Sequence, residues 1–260
     1  MKIGKVEKYI NEKIKKDGAI LSILIDPCDY PSSQKAIETA LLAAEAGVDI
    51  LSVGGSTQAQ GELLDTVIKG IKQKTDIPIV LFPGNIATIS RYADAILFMS
   101  LLNSRNPYWI SEVQTLSAPI IQKLGIEPLP LGYILFDPGG TAGWVGDANL
   151  VPRNKPNIAA ALALAARLSG KRFVFTDAGS AAFDHIPVEI IKAVRKTIGD
   201  MVYIVGGGIR TPEQAGKVVE AGADCVFVGT AAEKTKDVKK LVKQFIKAVK
   251  EKGRLKLKKK

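Results

Sequence analysis

Val205-Gly206-Gly207-Gly208-Ile209-Arg210-Thr211-Pro212-Glu213-Gln214-Ala215 and, shortly after it, Val226-Phe227-Val228-Gly229-Thr230 decide the fold of this chain. Each is a short apolar strand that ends in glycine with a helix start behind it. Glycine lets a backbone approach a ligand closely and adopt φ > 0. The exposed N–H groups of a helix N-terminus bind phosphate. Two such turns on consecutive βα units near the C-terminal end match the phosphate site of a (β/α)₈ barrel, which lies after strands 7 and 8. The alternative is a pair of tight turns whose glycines serve packing only.

Outward from these turns, strands and helices alternate. The expected strands are Ala19–Ile25, Ile50–Val53, Ile79–Phe82, Ala95–Met99, Leu131–Phe136, Phe173–Thr176, Val202–Val205 and Cys225–Val228. The helical segments include Ser33–Ala46, closed by Gly47 as a C-cap, Gly61–Lys74, and Pro107–Leu124 with a break before Pro119. Further helices are Ile158–Leu168, Pro187–Thr197, Pro212–Glu220 and Val238–Lys250. The βαβα order predicts a parallel sheet, and 260 residues fit one α/β (β/α)₈ TIM barrel of ~250 residues. Residues 1–250 form that catalytic barrel, and 251–260 are a basic, frayed tail. Only a short turn, Ile86–Ser90, lies between Phe82 and Ala95, less than a crossover helix needs. The third helix is therefore shortened or replaced, which leaves a gap in the outer wall long enough for an apolar chain.

Composition narrows the function. No apolar run reaches the ~20 residues of a membrane span, and the charged amphipathic N-terminus is no signal peptide, so a cytoplasmic protein is expected. One histidine, His185, excludes a His-based metal cluster, and two cysteines, Cys28 and Cys225, show no metal spacing. The net charge is +10, with seven Lys/Arg against one Glu from Lys250 onward. That tail reads as a solvated solubility segment rather than a nucleic-acid contact, with transient contact to an anionic membrane surface left open.

Polar residues gather at the C-terminal strand ends, where barrel enzymes keep their sites. They are Asp26-Pro27-Cys28-Asp29, Gly54-Gly55-Ser56-Thr57-Gln58, Pro83-Gly84-Asn85, Ser100 to Asn106, Asp137 to Trp144, and Thr176-Asp177-Ala178-Gly179-Ser180. Three of these rim segments, Leu81-Phe82-Pro83-Gly84-Asn85, Ser100-Leu101-Leu102-Asn103-Ser104-Arg105-Asn106-Pro107 and Pro138-Gly139-Gly140-Thr141-Ala142-Gly143-Trp144-Val145-Gly146, are long and unusual. Together with the glycine turns they make the chain resemble the archaeal geranylgeranylglyceryl phosphate synthases, from about Ile25 to Thr230.

The resemblance implies a prenyltransferase that joins the C3 hydroxyl of sn-glycerol 1-phosphate to geranylgeranyl diphosphate, releasing diphosphate, at the start of archaeal ether-lipid synthesis. It implies Mg²⁺ on Asp26 and Ser56, with Thr57 as the neighbouring alternative to Ser56, and a homodimer or homohexamer. It puts the glycerol phosphate on Gly207, Gly208, Gly229 and Thr230, and the glycerol on the strand 6 segment. There the family usually reads Tyr-Leu-Glu-Ala-Gly-Ser-Gly-Ala, whereas this chain reads Phe175-Thr176-Asp177-Ala178-Gly179-Ser180-Ala181-Ala182. The tyrosine hydroxyl is lost, the carboxylate is one methylene shorter, and Thr176 is a candidate substitute hydroxyl. Asp177 would orient the glycerol and accept its proton, against a loop-ordering role; Asp26 has an Asx-turn reading beside its metal role. Arg210 either adds positive charge at the phosphate or serves a surface ion pair. Tyr133 and Trp144 are the residues put forward for the prenyl groove, out of a set that also holds Tyr92, Phe98, Met99, Tyr108 and Trp109. Two related readings stay open: a synthase using a longer, heptaprenyl diphosphate, and a phosphate-binding isomerase or synthase of amino-acid biosynthesis.

Overall fold

In the computed structural model, which describes residues 2–180 and 182–258, eight parallel strands close into a barrel in sequence order. They are β1 (Ile20–Ile25), β2 (Ile50–Val53), β3 (Ile79–Leu81), β4 (Ala95–Leu101), β5 (Glu127–Leu135), β6 (Phe173–Asp177), β7 (Val202–Gly206) and β8 (Cys225–Val228). β1 pairs with both β2 and β8, which completes the closure. The helices are α1 (Lys5–Asp17), α2 (Ser33–Ala46), α3 (Gly61–Lys72), α4 (Val113–Leu124) and α5 (Gly140–Val145), then α6 (Pro156–Leu168), α7 (Val188–Ile198), α8 (Pro212–Ala221), α9 (Thr230–Lys234) and α10 (Val238–Leu257).

The strands are apolar on both faces because both are covered. Outward residues such as Leu21, Ile23, Leu51 and Val205 pack under the helices, and inward residues such as Ile20, Ile50, Leu131 and Ile204 fill the barrel. α1 closes the N-terminal end: Val6 and Ile10 join the inner cluster. Its first amides, on Val6 and Glu7, donate to the Glu127 carboxylate at 2.7 and 2.9 Å, a negative charge placed at a helix N-terminus.

Between β3 and β4 the described chain forms turns and no helix, as the short spacing predicts. Two expectations change. The helix before β5 does not break at Pro119; it runs through it from Val113 to Leu124, preceded by a π-helical turn at Tyr108–Glu112. Pro119 sits on the exposed face, so the carbonyl it leaves without an N–H partner lies toward solvent. The tail is not frayed at 251: α10 continues to Leu257. Lys252 pairs with Glu220 at 3.1 Å, Arg254 with Asp17 at 3.5 Å and Lys256 with Asp224 at 2.8 Å, so much of the basic charge is neutralised within the fold. No helix among the described residues is long and apolar enough to cross a membrane.

Candidate active site

The two-residue period of a strand sets the top layer of the barrel. Because Ile20 and Phe173 point inward, so do the last inward residues of each row, and Phe82, Tyr133, Phe175 and Phe227 meet there. Their rings lie 5.0 to 6.0 Å apart, Phe175 touching the other three. This aromatic layer is the floor of a cleft enclosing about 1520 Å³ of empty space, open solvent at its mouth included.

Asp177 follows Phe175 by two residues and stands on that floor, 7% exposed. Its Oδ2 accepts from the Tyr133 hydroxyl at 2.6 Å and its Oδ1 from the Gly179 amide at 2.8 Å. Burial raises its pKa, while the two donors pull it back toward the ionised form. Burial and the facing carboxylate push the Tyr133 phenol well up, so it stays a donor.

Beside it lie the glycine turns. Gly207 and Gly208 have φ of +76° and +69°, and a Cβ on Gly207 would lie 2.5 Å from Asp177 Oδ1; only glycine lets the β7 turn nest against the β6 loop. Gly179, Ser180, Gly207, Gly208, Gly229 and Thr230 all line the same cleft, with Gly229 as the N-cap of α9. Arg210 lines it too. Its guanidinium donates to the carbonyls of Ala182 and Phe183 at 2.7 and 3.4 Å, tying the β7 loop to the β6 loop.

Asp26, half-buried, lies across the mouth. Its Oδ1 caps the short 3₁₀ turn Pro27–Asp29 by accepting from the Cys28 amide at 3.0 Å. The Asx-turn role is therefore real, but it occupies only one oxygen. Oδ2 lies against Gly55, where a Cβ would collide with it, and Ser56 lines the same cleft. Burial, then the like charge of Asp29, raises the Asp26 pKa against the Cys28 N–H. No group of three or more His, Cys, Asp or Glu gathers for a metal among the described residues. A half-buried carboxylate whose Oδ2 does not take the Cys28 amide, in a cleft that Ser56 also lines, suits a cation that takes one or two protein oxygens and completes its shell with phosphate and water, the habit of Mg²⁺.

Several sequence candidates stand elsewhere. Thr176 points outward and shares a 3.0 Å hydrogen bond with the Tyr203 hydroxyl, fully buried, so it does not replace a lost tyrosine hydroxyl in the cleft. Ala178 packs its side chain into the outer core. Phe175 contributes its ring to the floor rather than a polar contact. Trp144 is corrected: it is 84% exposed. The glycine segment after β5 coils into α5, where Ala142, Val145 and the capping Gly146 line the cleft, and helical spacing turns Trp144 to the opposite face. Ala181 lies outside the described residues. Asn103 is buried and structural; its amide holds the carbonyls of Leu135 and Asn149, each at 2.9 Å.

One feature escaped the sequence reading, and another, the gap left by the third helix, is expected from it without its walls. Glu233, on α9, reaches the mouth beside Asp26 and Asp29; burial, then those two charges, pushes its pKa up to about 7. Nothing in an Ala-Ala-Glu stretch signals that, because the partners come from β1 at the other end of the chain. Ionising Glu233 costs stability as pH rises from its ordinary 4.5 toward 7. Glu233→Gln should therefore raise Tm above pH 7 and leave it unchanged below 4.5; thermal melts across that range that run parallel would refute the assignment.

The second feature is the path of the cleft. From the mouth it passes Phe82, Pro83 and Asn85 and continues over the outward-facing Ile96 and Phe98 of β4. The connector residues Ile86 and Ile89 flank it on one side, and Trp109, Val113, Ser117 and Ile121 on the other. This is the place of the missing helix. From Val113 to Ile121 the α4 wall is about 12 Å long at 1.5 Å per residue.

A closed (β/α)₈ barrel whose mouth gathers glycine turns and a buried carboxylate, with an apolar channel down its flank, has the architecture of a barrel enzyme. A family model described as the PcrB family matches residues 15–251. The geranylgeranylglyceryl phosphate synthase of Thermococcus sibiricus is 51% identical over 254 residues, covering 96% of this chain and 98% of its own. That of Methanosphaera stadtmanae is 50% identical over 240 residues, covering 92% and 97%. The crystal structure of (S)-3-O-geranylgeranylglyceryl phosphate synthase from Thermoplasma acidophilum in complex with sn-glycerol-1-phosphate superposes with a TM-score of 0.90 at 38% identity, over 96% of this chain and 100% of that one. The chain belongs to the PcrB family, among its geranylgeranylglyceryl phosphate synthases, a group of prenyl-transferring enzymes.

Proposed function

We propose that this enzyme alkylates the C3 hydroxyl of sn-glycerol 1-phosphate with geranylgeranyl diphosphate and releases inorganic diphosphate. The observation that carries the reading is the union in one cleft of the glycine turns after β7 and β8, the Asp177 carboxylate and the apolar flank channel. Gly207, Gly208, Gly229 and Thr230 hold the glycerol phosphate through main-chain N–H groups. Each Asp177 oxygen spends one acceptor site on Tyr133 or Gly179 and keeps another for the glycerol. As the new C–O bond forms at the prenyl C1 and the bond to diphosphate breaks, the hydroxyl proton passes to Asp177, whose burial raises its basicity above that of an ordinary carboxylate. Asp26 and Ser56 would hold Mg²⁺, which when bound supplies charge neutralisation for the departing diphosphate. The closed floor of four aromatic rings keeps water from the reacting carbon.

Purified protein with Mg²⁺ and sn-glycerol 1-phosphate should convert geranylgeranyl diphosphate to a phosphorylated ether lipid, faster than farnesyl or heptaprenyl diphosphate and not with EDTA present. Absence of product with all three prenyl donors overturns the proposal.

The channel also supports a length limit. Ser117 is buried on its α4 wall, and each methylene kept from an apolar site forfeits ~0.8 kcal/mol. Ser117→Trp should cut kcat/KM for geranylgeranyl diphosphate at least about tenfold while sparing farnesyl diphosphate. An equal loss for both donors would mean that the chain runs elsewhere.

A further inference from the structure

α4 sits on the barrel unlike its neighbours. α7, for comparison, buries Ile190, Ile191, Val194 and Ile198, an apolar stripe seated on the strands. α4 buries three residues, Gln114, Ser117 and Ile121, and all three line the cleft. Two of them are polar, so the apolar seat of the helix is confined to Ile121 and the partly buried Leu124 at its far end. The end nearer the barrel mouth needs another tie to hold it over the channel.

Gln114 is that tie. β3 ends at Leu81, opposite Ile96, so from Leu97 to Leu101 β4 is paired with β5 along one edge and with no strand along the other. Leu102 turns its amide to the Tyr133 carbonyl of β5. Backbone groups alternate between edges along a strand, so Met99, three residues earlier, faces the open edge. There its carbonyl accepts from Gln114 Nε2, which also donates to the Trp109 carbonyl, at 3.3 Å, in the π-helical turn Tyr108–Glu112. One buried side-chain amide thus joins strand, turn and helix, and supplies a donor where the ladder has none. Exchanging the two amide atoms would set Oε1 against both carbonyl oxygens, so the orientation is fixed. Oε1 is then left buried with no hydrogen-bond partner among the described residues. Such an acceptor costs stability; the donor end is what this residue contributes.

We propose that Gln114 is a positioning residue for the prenyl donor: its amide clips the mouth end of α4 and the π-helical turn to β4, and so holds the channel walls at the spacing that grips the chain. The inference rests on the reading of the flank channel as the prenyl site. Met99 and Trp109, whose carbonyls the clip holds, line the cleft together with Gln114, so a slack clip moves the walls themselves. A wall held in place before the donor arrives lowers the ordering cost of binding a flexible chain. Gln114 stands in the first turn of α4, so geranylgeranyl and farnesyl chains both pass it and both weaken when the clip is lost. That differs from a channel blocked at Ser117, which spares the shorter donor.

The test uses the full chain carrying Trp144→Phe, in which Trp109 is the one tryptophan left. Gln114→Met keeps the length of the side chain and removes its donor. Without ligand, acrylamide should quench Trp109 emission at least about twofold more steeply in Gln114→Met than in the parent, because the turn that carries the indole opens locally. Titrated with the unreactive thiolodiphosphates of geranylgeraniol and farnesol, the variant should bind both about tenfold more weakly, a loss that one hydrogen bond accounts for. Affinity for sn-glycerol 1-phosphate, read by calorimetry, should stay within about twofold, since β7 and β8 lie across the barrel from β4. Gln114→Glu, of the same shape and unable to donate when ionised, should repeat the pattern, and it replaces Gln114→Met if that variant does not melt cooperatively. Equal quenching and equal donor affinity in parent and variants overturn the proposal. So does a loss shared by sn-glycerol 1-phosphate and the prenyl analogues, which would mark Gln114 as a general support of the fold. If the parent itself binds no prenyl analogue, the reaction proposed above fails and this inference fails with it; a parent that binds them only as well as its variants do refutes the clip alone.

Discussion

Asp177→Asn should lower kcat/KM for sn-glycerol 1-phosphate by about 10² to 10⁴-fold, the range a positioned proton acceptor contributes. The amide keeps the shape of the carboxylate and one acceptor oxygen, so the Tyr133 hydroxyl can still donate to it while its NH2 meets the Gly179 amide, at a modest cost in thermal stability. What it removes is the site for the hydroxyl proton. A variant retaining more than a tenth of the wild-type kcat/KM would reduce Asp177 to a loop-ordering residue. The pH dependence separates the two roles further. Tyr133 donates to the charged form of Asp177 at 2.6 Å, and a donor to the charged form lowers a carboxyl pKa. Tyr133→Phe removes that donor and leaves burial unopposed on Oδ2, so the Asp177 pKa rises. The base is then ionised only at higher pH, and the acidic limb of the kcat/KM profile should move to higher pH. An unmoved limb, with activity merely scaled down, would show that Tyr133 only packs the floor.

Asp26→Ala should reduce turnover by about a thousandfold, since charge stabilisation of a leaving diphosphate is worth several kcal/mol and each 1.36 kcal/mol is tenfold. It should also shift half-saturation by Mg²⁺ to higher concentration, which loss of a turn-capping group alone would not do. The two functions of this carboxylate can be separated. Oδ1 caps the Pro27–Asp29 turn and Oδ2 faces Gly55, so Asp26→Asn preserves the cap while weakening the cation contact. If Asp26→Asn titrates with Mg²⁺ as the wild type does, Asp26 is a structural cap and the metal site lies elsewhere.

The barrel was legible in the sequence because its signals are local. β2 and β8 and the helix Ser33–Ala46 fall at the expected bounds; they are short apolar runs and a helix with Ser32 at its N-cap and Gly47 in the left-handed region at its C-cap. Missing helical length between Phe82 and Ala95 can be counted without coordinates. The glycine turns were legible for a related reason: positive φ and close approach can be met by few residues other than glycine. Pro119 misled because proline rules describe an isolated helix interior, and here the unpartnered carbonyl faces outward. The tail misled because its charge was read alone; its acidic partners Asp17, Glu220 and Asp224 lie far off in sequence.

For the site, residue type and rim position were readable, whereas direction was not. Trp144 and Thr176 stand next to cleft-lining residues in sequence, yet one faces solvent and the other the outer core, because helix and strand periodicity turns neighbours to opposite sides. The sequence determined that eight parallel strands close, that glycine turns follow strands 7 and 8 at the cleft, and that one helix is absent. Only the tertiary structure decided that Tyr133 meets Asp177, that Glu233 crowds Asp26 and Asp29, and that the gap becomes a channel along α4. The physical reason is that backbone conformation follows from short-range sterics and hydrogen bonding, while a site is made of contacts between side chains brought together by barrel closure across 44 residues in one case and some two hundred in another.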